Sequence, residues 1–337
     1  MRAVVLVGGF GTRLRPLTLH TPKQMLPVVG VTMLERVLSW LGSHGVTEAV
    51  LSLGYRPDAF TAAFTDQRCG GVQLRYAVEP EPLDTAGAIA FAAREAGFAE
   101  RFVAINGDVL TDADLSALVA DHDAHPDTAA TIALTPVEDP SRYGVVDVDG
   151  GGLVRAFVEK PAAGTEPSHL INAGQYVLEP EVLDLVEPGR PTSIERAVFP
   201  TLAGDGRLRA VSSSAYWIDA GTPEAYLRAN LDLVDGVRGH ETALHASAVV
   251  AGGAEVTHSV VASGATVAPG AVVEGSVLLD GAVIEESCVV RDSIVGPAGK
   301  VKAGAKLSDL TVVGAGYEVE PGAVLRASLV PPPDTWG

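Results

Sequence analysis

Lysine is scarce in this chain: of five among 337 residues, only Lys23 and Lys160 precede residue 300. Cysteine is scarcer, with Cys69 and Cys288 alone, which excludes a disulfide framework; no Cys/His cluster has zinc-site spacing either. No apolar run approaches the ~18 residues of a membrane span. The opening AVVLVGG is too short for a signal peptide and lacks a cleavage site. A soluble cytoplasmic protein with no membrane partner is expected. Basic residues number 24 against 42 acidic ones, a net charge of −18. That balance argues against nucleic acid as a partner, since such binding draws on neutralised phosphates. What is present suffices for a core: 47% of residues are apolar and 20% charged. At roughly 150 residues per domain, the length suggests two domains.

The charge is unevenly spread. The first acidic residue is Glu35, and Arg2, Arg13, Arg15 and Lys23 stand before it, so residues 1–34 carry +4. A local positive field in an acidic protein points to an anionic ligand.

Up to about residue 233, short β-rich runs alternate with helical patterns. Strands are expected at 3–7, 49–53, 73–78, 102–106, 128–135, 144–148 and 153–158, and helices at 33–41, 86–96, 113–122 and 223–234. The alternation implies a mixed, mostly parallel sheet flanked by helices, the Rossmann-like form of an α/β domain over residues 1–234. Thr222 and Pro223 are the cap and first-turn signals of the last helix. Residues 235–243 are polar and read as a linker.

From residue 244 an aliphatic repeat of 17 residues appears. Its columns are Val250, Val267, Ile284, Val301; Val256, Val273, Val290, Leu307, Val324; and Val261, Leu278, Val295, Val312, Leu329. The first column fails at Glu318, where Val319 suggests a one-residue insertion. Spacings of 6, 5 and 6 give three short strands per period, the hexapeptide signature of a parallel β-helix over residues 244–330. Residues 331–337 remain as a tail. The exposed ends of such a solenoid need a cap or a partner, so a homo-oligomer formed through the β-helix is expected. Truncation after residue 240 is expected to change association more than chemistry.

The strongest local signal is Gly8-Gly9-Phe10-Gly11-Thr12-Arg13-Leu14-Arg15-Pro16-Leu17-Thr18, directly after the first strand. Glycines let backbone N–H groups approach phosphate, and Arg13 adds a planar fork that grips it bidentately. No Gly-Lys-Ser/Thr follows, so it is not a P-loop. Lys23, between Pro22 and Pro27, is a second point charge, and the set reads as a polyphosphate site. Asp108 ends an apolar strand after a glycine, at the carboxyl edge where ligands bind in open α/β folds. Asp219 precedes Gly221 and a capped helix. Two carboxylates reaching one polyphosphate suit Mg²⁺. Glu159 and Lys160 are adjacent at a strand end, where neighbouring side chains are expected to take opposite faces.

Residues 8–18 with Pro22–Pro27 resemble the signature loop of sugar-1-phosphate nucleotidylyltransferases. The resemblance continues through Pro82-Leu83-Asp84-Thr85-Ala86-Gly87, Asn106-Gly107-Asp108, Glu159-Lys160-Pro161, Asn172-Ala173-Gly174 and Trp217-Ile218-Asp219-Ala220-Gly221-Thr222. Several branches also carry a left-handed β-helix. The layout is most similar to bacterial mannose-1-phosphate guanylyltransferases, with Ser193-Ile194-Glu195 and Val198-Phe199-Pro200 as supporting matches. The resemblance implies transfer of a nucleotidyl group from an NTP to a sugar 1-phosphate. Arg13, Lys23 and Asp108 would be catalytic, with Asp108 and Asp219 on the metal. Leu6, Gly8, Gly9, Gly11, Thr12, Arg13, Glu79, Pro82, Thr85, Ala86 and Gly87 would bind nucleotide. Gly144, Glu159, Lys160, Asn172 and Glu195 would bind the sugar phosphate.

Base choice rests on Glu79, where the family places a residue facing the base edge. A carboxylate accepts from two parallel N–H groups, as guanine's N1–H and 2-amino group offer, which favours GTP. Two departures keep a thymidylyl, adenylyl or uridylyl relative open: Gln24 resembles the thymidylyl branch, and Asp84 sits where glycine is usual. A non-catalytic regulatory subunit would have damaged signature residues, yet Arg13, Lys23, Asp108 and Asp219 are all present. An acyltransferase in the β-helix would need a longer solenoid and a base; His245 and His258 read as solvated loop residues.

Overall fold

The computed structural model describes residues 1–54 and 56–336. Gly337, the end of the expected tail, lies outside the described residues. The chain divides into two compact units, residues 1–9 with 34–217 and residues 10–33 with 218–336.

Ten strands form one mixed sheet in the first unit. They are β1 (Arg2–Leu6), β2 (Glu48–Leu53), β3 (Arg68–Cys69), β4 (Val72–Val78), β5 (Phe102–Asn106), β6 (Ala130–Pro136), β7 (Gly144–Val148), β8 (Val154–Glu159), β9 (Leu170–Leu178) and β10 (Leu208–Ser212). Their order is β8-β7-β9-β5-β1-β2-β4-β3, with β6 paired to β9 and β10. The run β5-β1-β2-β4 is parallel, and β9 runs antiparallel to β5, β6 and β7. The apolar pattern does not anticipate β9, because Asn172, Gly174 and Gln175 interrupt it and its pairing with β6 shifts register between Asn172 and Tyr176.

The helices are α1 (Met33–Ser43), α2 (Pro57–Ala63), α3 (Asp84–Glu95), α4 (Leu115–Asp123), α5 (Phe199–Gly204) and α6 (Pro223–Val234). α3 buries Ala86, Ile89, Ala90 and Ala93 in one cluster with Val4, Val50, Ala77 and Ala104 of the sheet. Alanines on both sides let the helix lie close. Each larger aliphatic buried there contributes about 1.5–3 kcal/mol. α4 is capped by Asp114, which accepts from the Ser116 and Ala117 amides. No described helix is long and apolar enough to cross a membrane.

In the second unit, Thr222 caps α6 by accepting from the Ala225 amide, with Pro223 in the first turn, as its sequence signals require. Three five-stranded parallel sheets follow, the walls of a left-handed β-helix. The register Val250–Val267–Ile284–Val301–Val319 follows the first repeat column and its displaced last member. The other two columns need correction in their last members. Leu307 pairs with Leu325, and Val295 with Val313, which is followed by Val330. Val324 points out, 67% exposed. The cause is an extra residue at the corner after Leu307. Equivalent corners hold one left-handed residue, His258, Gly275, Asp292 or Ala327, whereas this one holds two, Asp309 and Leu310. Beside that corner runs a buried polar column, Ser259, Ser276, Ser293 and Thr311. There Ser259 Oγ accepts from the Ser276 amide at 3.0 Å and Ser276 Oγ from the Ser293 amide at 3.1 Å. Cys288 occupies a column otherwise filled by Ala271 and Ala305, fully buried, and both cysteines are free.

Candidate active site

The parallel register sets Leu6 beside Ser52 on one side and Asn106 on the other. The chain builds outward from β1 to β2 and β4, then crosses back to place β5 on β1's other edge. Ligands bind at the carboxyl ends of strands at such a reversal. A cavity of about 260 Å³ opens there, lined by Leu6, Gly8, Gly9, Glu79, Pro82 and Thr85, with Leu83, Asp84 and Ala88. Six of the expected nucleotide contacts therefore share one pocket.

Glu79, just past β4, is held at both oxygens. Ser52 Oγ donates to Oε1 at 2.9 Å, and the Leu83 amide donates to Oε2 at 3.1 Å. Each oxygen keeps acceptor capacity for a ligand. Ser52 is fully buried, and sequence reasoning missed it. Its signal was a lone hydroxyl within the apolar run of β2.

Asp84, which stands where glycine is usual in the family, has φ +59°. Aspartate is one of the few residues that tolerate this left-handed conformation, and its Oδ1 accepts from the Thr85 amide at 2.7 Å. The amides of Ala86 and Gly87 donate to the Thr192 carbonyl at 2.8 and 3.1 Å. These two residues pin the start of α3. Thr85 Oγ donates to Glu195 Oε2 at 2.7 Å, and Ser193 Oγ donates to the same oxygen at 2.8 Å. The pocket that Thr85 lines and Glu195 are thereby bonded directly.

Gly144 lies opposite Glu159 in the β7–β8 pair. A Cβ at 144 would stand 2.6 Å from the Phe157 ring and 3.0 Å from Glu159 Oε2, so only glycine fits. The expectation of opposite faces for Glu159 and Lys160 fails. β8 ends at Glu159, Lys160 has φ +50°, and its Nζ turns to within 3.4 Å of Glu159 Oε1. Asn172 donates from Nδ2 to the Tyr176 hydroxyl at 2.8 Å and accepts from the Gly174 amide at 3.0 Å. Burial raises the Tyr176 phenol well above its ordinary pKa, and the carboxylates of Glu195 and Glu159 add to the shift. Tyr176 thus stays a neutral donor and acceptor among Asn172, Glu159 and Glu195. Asp108, 8% exposed, follows Gly107, whose amide donates to the Leu6 carbonyl at 2.9 Å.

In the second unit, Thr12–Leu14 and Lys23–Met25 each form a 3₁₀ turn. Thr18 Oγ donates to the Gly11 carbonyl at 2.7 Å and folds the loop on itself. The Arg13 side chain is 62% exposed and stands 3.7 Å from Asp219 Oδ2. Asp219 Oδ1 accepts from the Gly221 amide at 2.9 Å. Gln24 is buried, and its Oε1 has no hydrogen-bond partner. Of the two histidines of the β-helix, His258 pairs with Asp235 at 2.8 Å and His245 with Ser247 at 2.9 Å.

Residues 2–236 match the family model described as Nucleotidyl transferase, and residues 239–335 match the one described as GMPPB C-terminal domain. Mannose-1-phosphate guanylyltransferase of Mycobacterium tuberculosis is 42% identical over 262 residues, 75% of this chain and 72% of the relative. Mannose-1-phosphate guanyltransferase of Schizosaccharomyces pombe is 40% identical over 253 residues, 74% of this chain and 68% of the relative. Among solved structures, HddC from Yersinia pseudotuberculosis is 31% identical with a TM-score of 0.59, covering 68% of this chain and 97% of that one. A putative glucose-1-phosphate thymidylyltransferase from Bacillus anthracis is 25% identical with a TM-score of 0.61, covering 68% of this chain and 94% of that one.

Proposed function

The chain belongs to the nucleotidyl transferase family, and we propose that it joins GTP to mannose 1-phosphate, giving GDP-mannose and pyrophosphate. The guanylyltransferase relatives support the reaction. The observation that carries the choice of base is Glu79, fixed as a double acceptor in the pocket beside Gly8 and Gly9. The test is a matrix of NTPs against sugar 1-phosphates, read as pyrophosphate release. GTP with mannose 1-phosphate is expected to exceed every other pair.

The chemistry is an in-line displacement. An oxygen of the sugar phosphate forms a bond to the α-phosphorus as the bond to the β-phosphate oxygen breaks, and its electron pair leaves with pyrophosphate. A phosphate oxygen is already a nucleophile, so the protein's task is positioning and charge neutralisation. Arg13 grips the departing pyrophosphate, Lys23 the transferring phosphoryl group and Lys160 the incoming phosphate. Glu159, Asn172, Glu195 and the Gly144 backbone hold sugar hydroxyls.

The family generally uses a divalent metal, and the donors here suit one. Asp108 and Asp219 offer hard carboxylate oxygens, and Asp219 Oδ2 faces a cation already, the Arg13 guanidinium at 3.7 Å. We assign them to Mg²⁺, which when bound neutralises charge on the phosphate oxygens. Residues 1–234 act as the transferase domain, 235–243 as linker, 244–330 as β-helix and 331–337 as tail. Exposed Val249 and Val324 on the first and last coils support self-association through the β-helix. The free thiols of Cys69 and Cys288 fit a cytoplasmic site of action.

A further inference from the structure

The last coil of the β-helix packs against the loop that carries Arg13. A Cβ at Gly314 would stand 3.0 Å from the Pro16 Cβ, 3.1 Å from the Tyr317 ring and 3.2 Å from the Val330 carbonyl. Any larger residue would press these neighbours apart by a few tenths of an ångström, and Pro16 is buried. One residue earlier, the guanidinium carbon of Arg15 stands 5.9 Å from the centre of the Trp336 ring, within cation–π range. Arg15 Nε is buried with no hydrogen-bond partner, so the ring face supplies negative potential where no acceptor does. Trp336 is itself folded back toward the last coil, because its Nε1 donates at 3.1 Å to the carbonyl of Pro331, the residue that follows the last strand.

These contacts bear on Arg13. The Arg15 amide donates to the Thr12 carbonyl at 3.3 Å and closes the turn that contains Arg13. The Thr18–Gly11 bond closes the wider loop around it. Pro16 and Arg15 thus sit on the same closed loop from which the Arg13 side chain projects.

We propose that the last β-helix coil and Trp336 position the phosphate-gripping loop. Gly314 seats Pro16, the indole seats Arg15, and the turn between them aims Arg13. The proposal rests on the reading that Arg13 grips the NTP. It makes the β-helix part of the triphosphate site, where the sequence suggested only an association module. Gly314 and Trp336 are positioning residues; neither touches substrate.

The test compares W336A, W336F and R15M in the full-length protein. GTP affinity is measured by calorimetry without turnover, and KM is measured separately for GTP and for mannose 1-phosphate. W336A is expected to weaken GTP by roughly three- to thirty-fold, the range of one cation–π contact. KM for the sugar phosphate and the melting temperature should hold. W336F, which keeps a ring face, should recover most of the loss. R15M should reproduce the loss, and the double variant R15M/W336A should add nothing further. Unchanged GTP affinity in W336A and R15M would overturn the proposal, as would equal weakening of both substrates. If W336A does not fold, W336L, which removes the ring face and keeps bulk, takes its place, and unchanged GTP affinity in W336L and R15M overturns the proposal in the same way. Failure of the functional reading looks different: no pair of substrates releases pyrophosphate, while GTP affinity still responds to Trp336.

Discussion

The Arg13 guanidinium and the Asp219 carboxylate face each other across 3.7 Å, although one is assigned to pyrophosphate and the other to the cation. The pair is partly open to solvent. With Arg13 62% exposed, it is worth about 0–1 kcal/mol, so phosphate and cation can replace it cheaply. Asp219→Asn is therefore expected to leave the melting temperature nearly unchanged. Turnover should fall by about 10²–10³-fold, the loss typical of one electrostatic group aimed at developing charge. Asp108→Asn should do the same to turnover. Near-normal turnover at saturating Mg²⁺ in either variant would dissolve the two-aspartate metal site.

Lys160 lies off the strand that carries Glu159, and its ammonium returns to the same side as that carboxylate. With its side chain 60% exposed, Lys160 gains little stability from the pair, so the left-handed backbone is better explained by function. Lys160→Ala should raise KM for mannose 1-phosphate by about ten-fold or more, as expected for one charge-assisted contact to phosphate. KM for GTP should move far less. Initial-rate kinetics with each substrate varied in turn would show it, and equal shifts would place Lys160 elsewhere.

His122 offers a pH prediction away from the site. It is buried between Thr131, 2.8 Å from Nδ1, and Glu179, 3.1 Å from Nε2. Burial lowers its pKa below the ordinary 6.5 despite the Glu179 carboxylate. Between 6.5 and the lowered value the unfolded chain binds the extra proton and the folded one does not. Stability from this group is therefore full above 6.5 and is lost as pH falls toward the folded pKa. Urea midpoints at several pH values should decline through that window, and His122→Gln should flatten the decline. An unchanged slope in the variant would assign the acid sensitivity to other groups.

The parallel centre of the sheet and the β-helix were legible because both write a period into the sequence. The same periodicity misplaced Val324, Val312 and Leu329, since each has an aliphatic neighbour that hides a one-residue slip, which shows only at Glu318, two strands beyond the corner of Asp309 and Leu310. Strand β9 was hidden because Asn172, Gly174 and Gln175 interrupt its apolar pattern. Residues of the pocket were legible as motifs, but their supports were not. Ser52, Thr192 and Tyr176 lie 27, 106 and 4 residues from Glu79, Ala86 and Asn172, the groups they hold. The first two separations are joined only by the fold.

Base selection tests the pocket most directly. Glu79 presents a carboxylate whose plane is set by Ser52 and the Leu83 amide. If it accepts from guanine's N1–H and 2-amino group, GTP should exceed ITP, which lacks the amine, and both should exceed dTTP. Removing one charge-assisted hydrogen bond costs about 1.5–3 kcal/mol, or roughly ten- to hundred-fold in kcat/KM. Glu79→Gln should narrow the gap between GTP and dTTP, because an amide can donate to a thymine carbonyl while accepting from its N–H. Ser52→Ala leaves the carboxylate in place but frees one oxygen, so it should lower GTP-over-ITP discrimination while leaving KM for the sugar phosphate unchanged. Asp84, at the same pocket with its Oδ1 turned to the Thr85 amide, is the rival carboxylate. Asp84→Asn should therefore leave the GTP-to-ITP ratio as it was, and a collapse of that ratio would transfer the role from Glu79 to Asp84. A preference for dTTP in the unmodified enzyme would instead make it a thymidylyltransferase, with the phosphate and cation roles of Arg13, Lys23, Lys160, Asp108 and Asp219 intact.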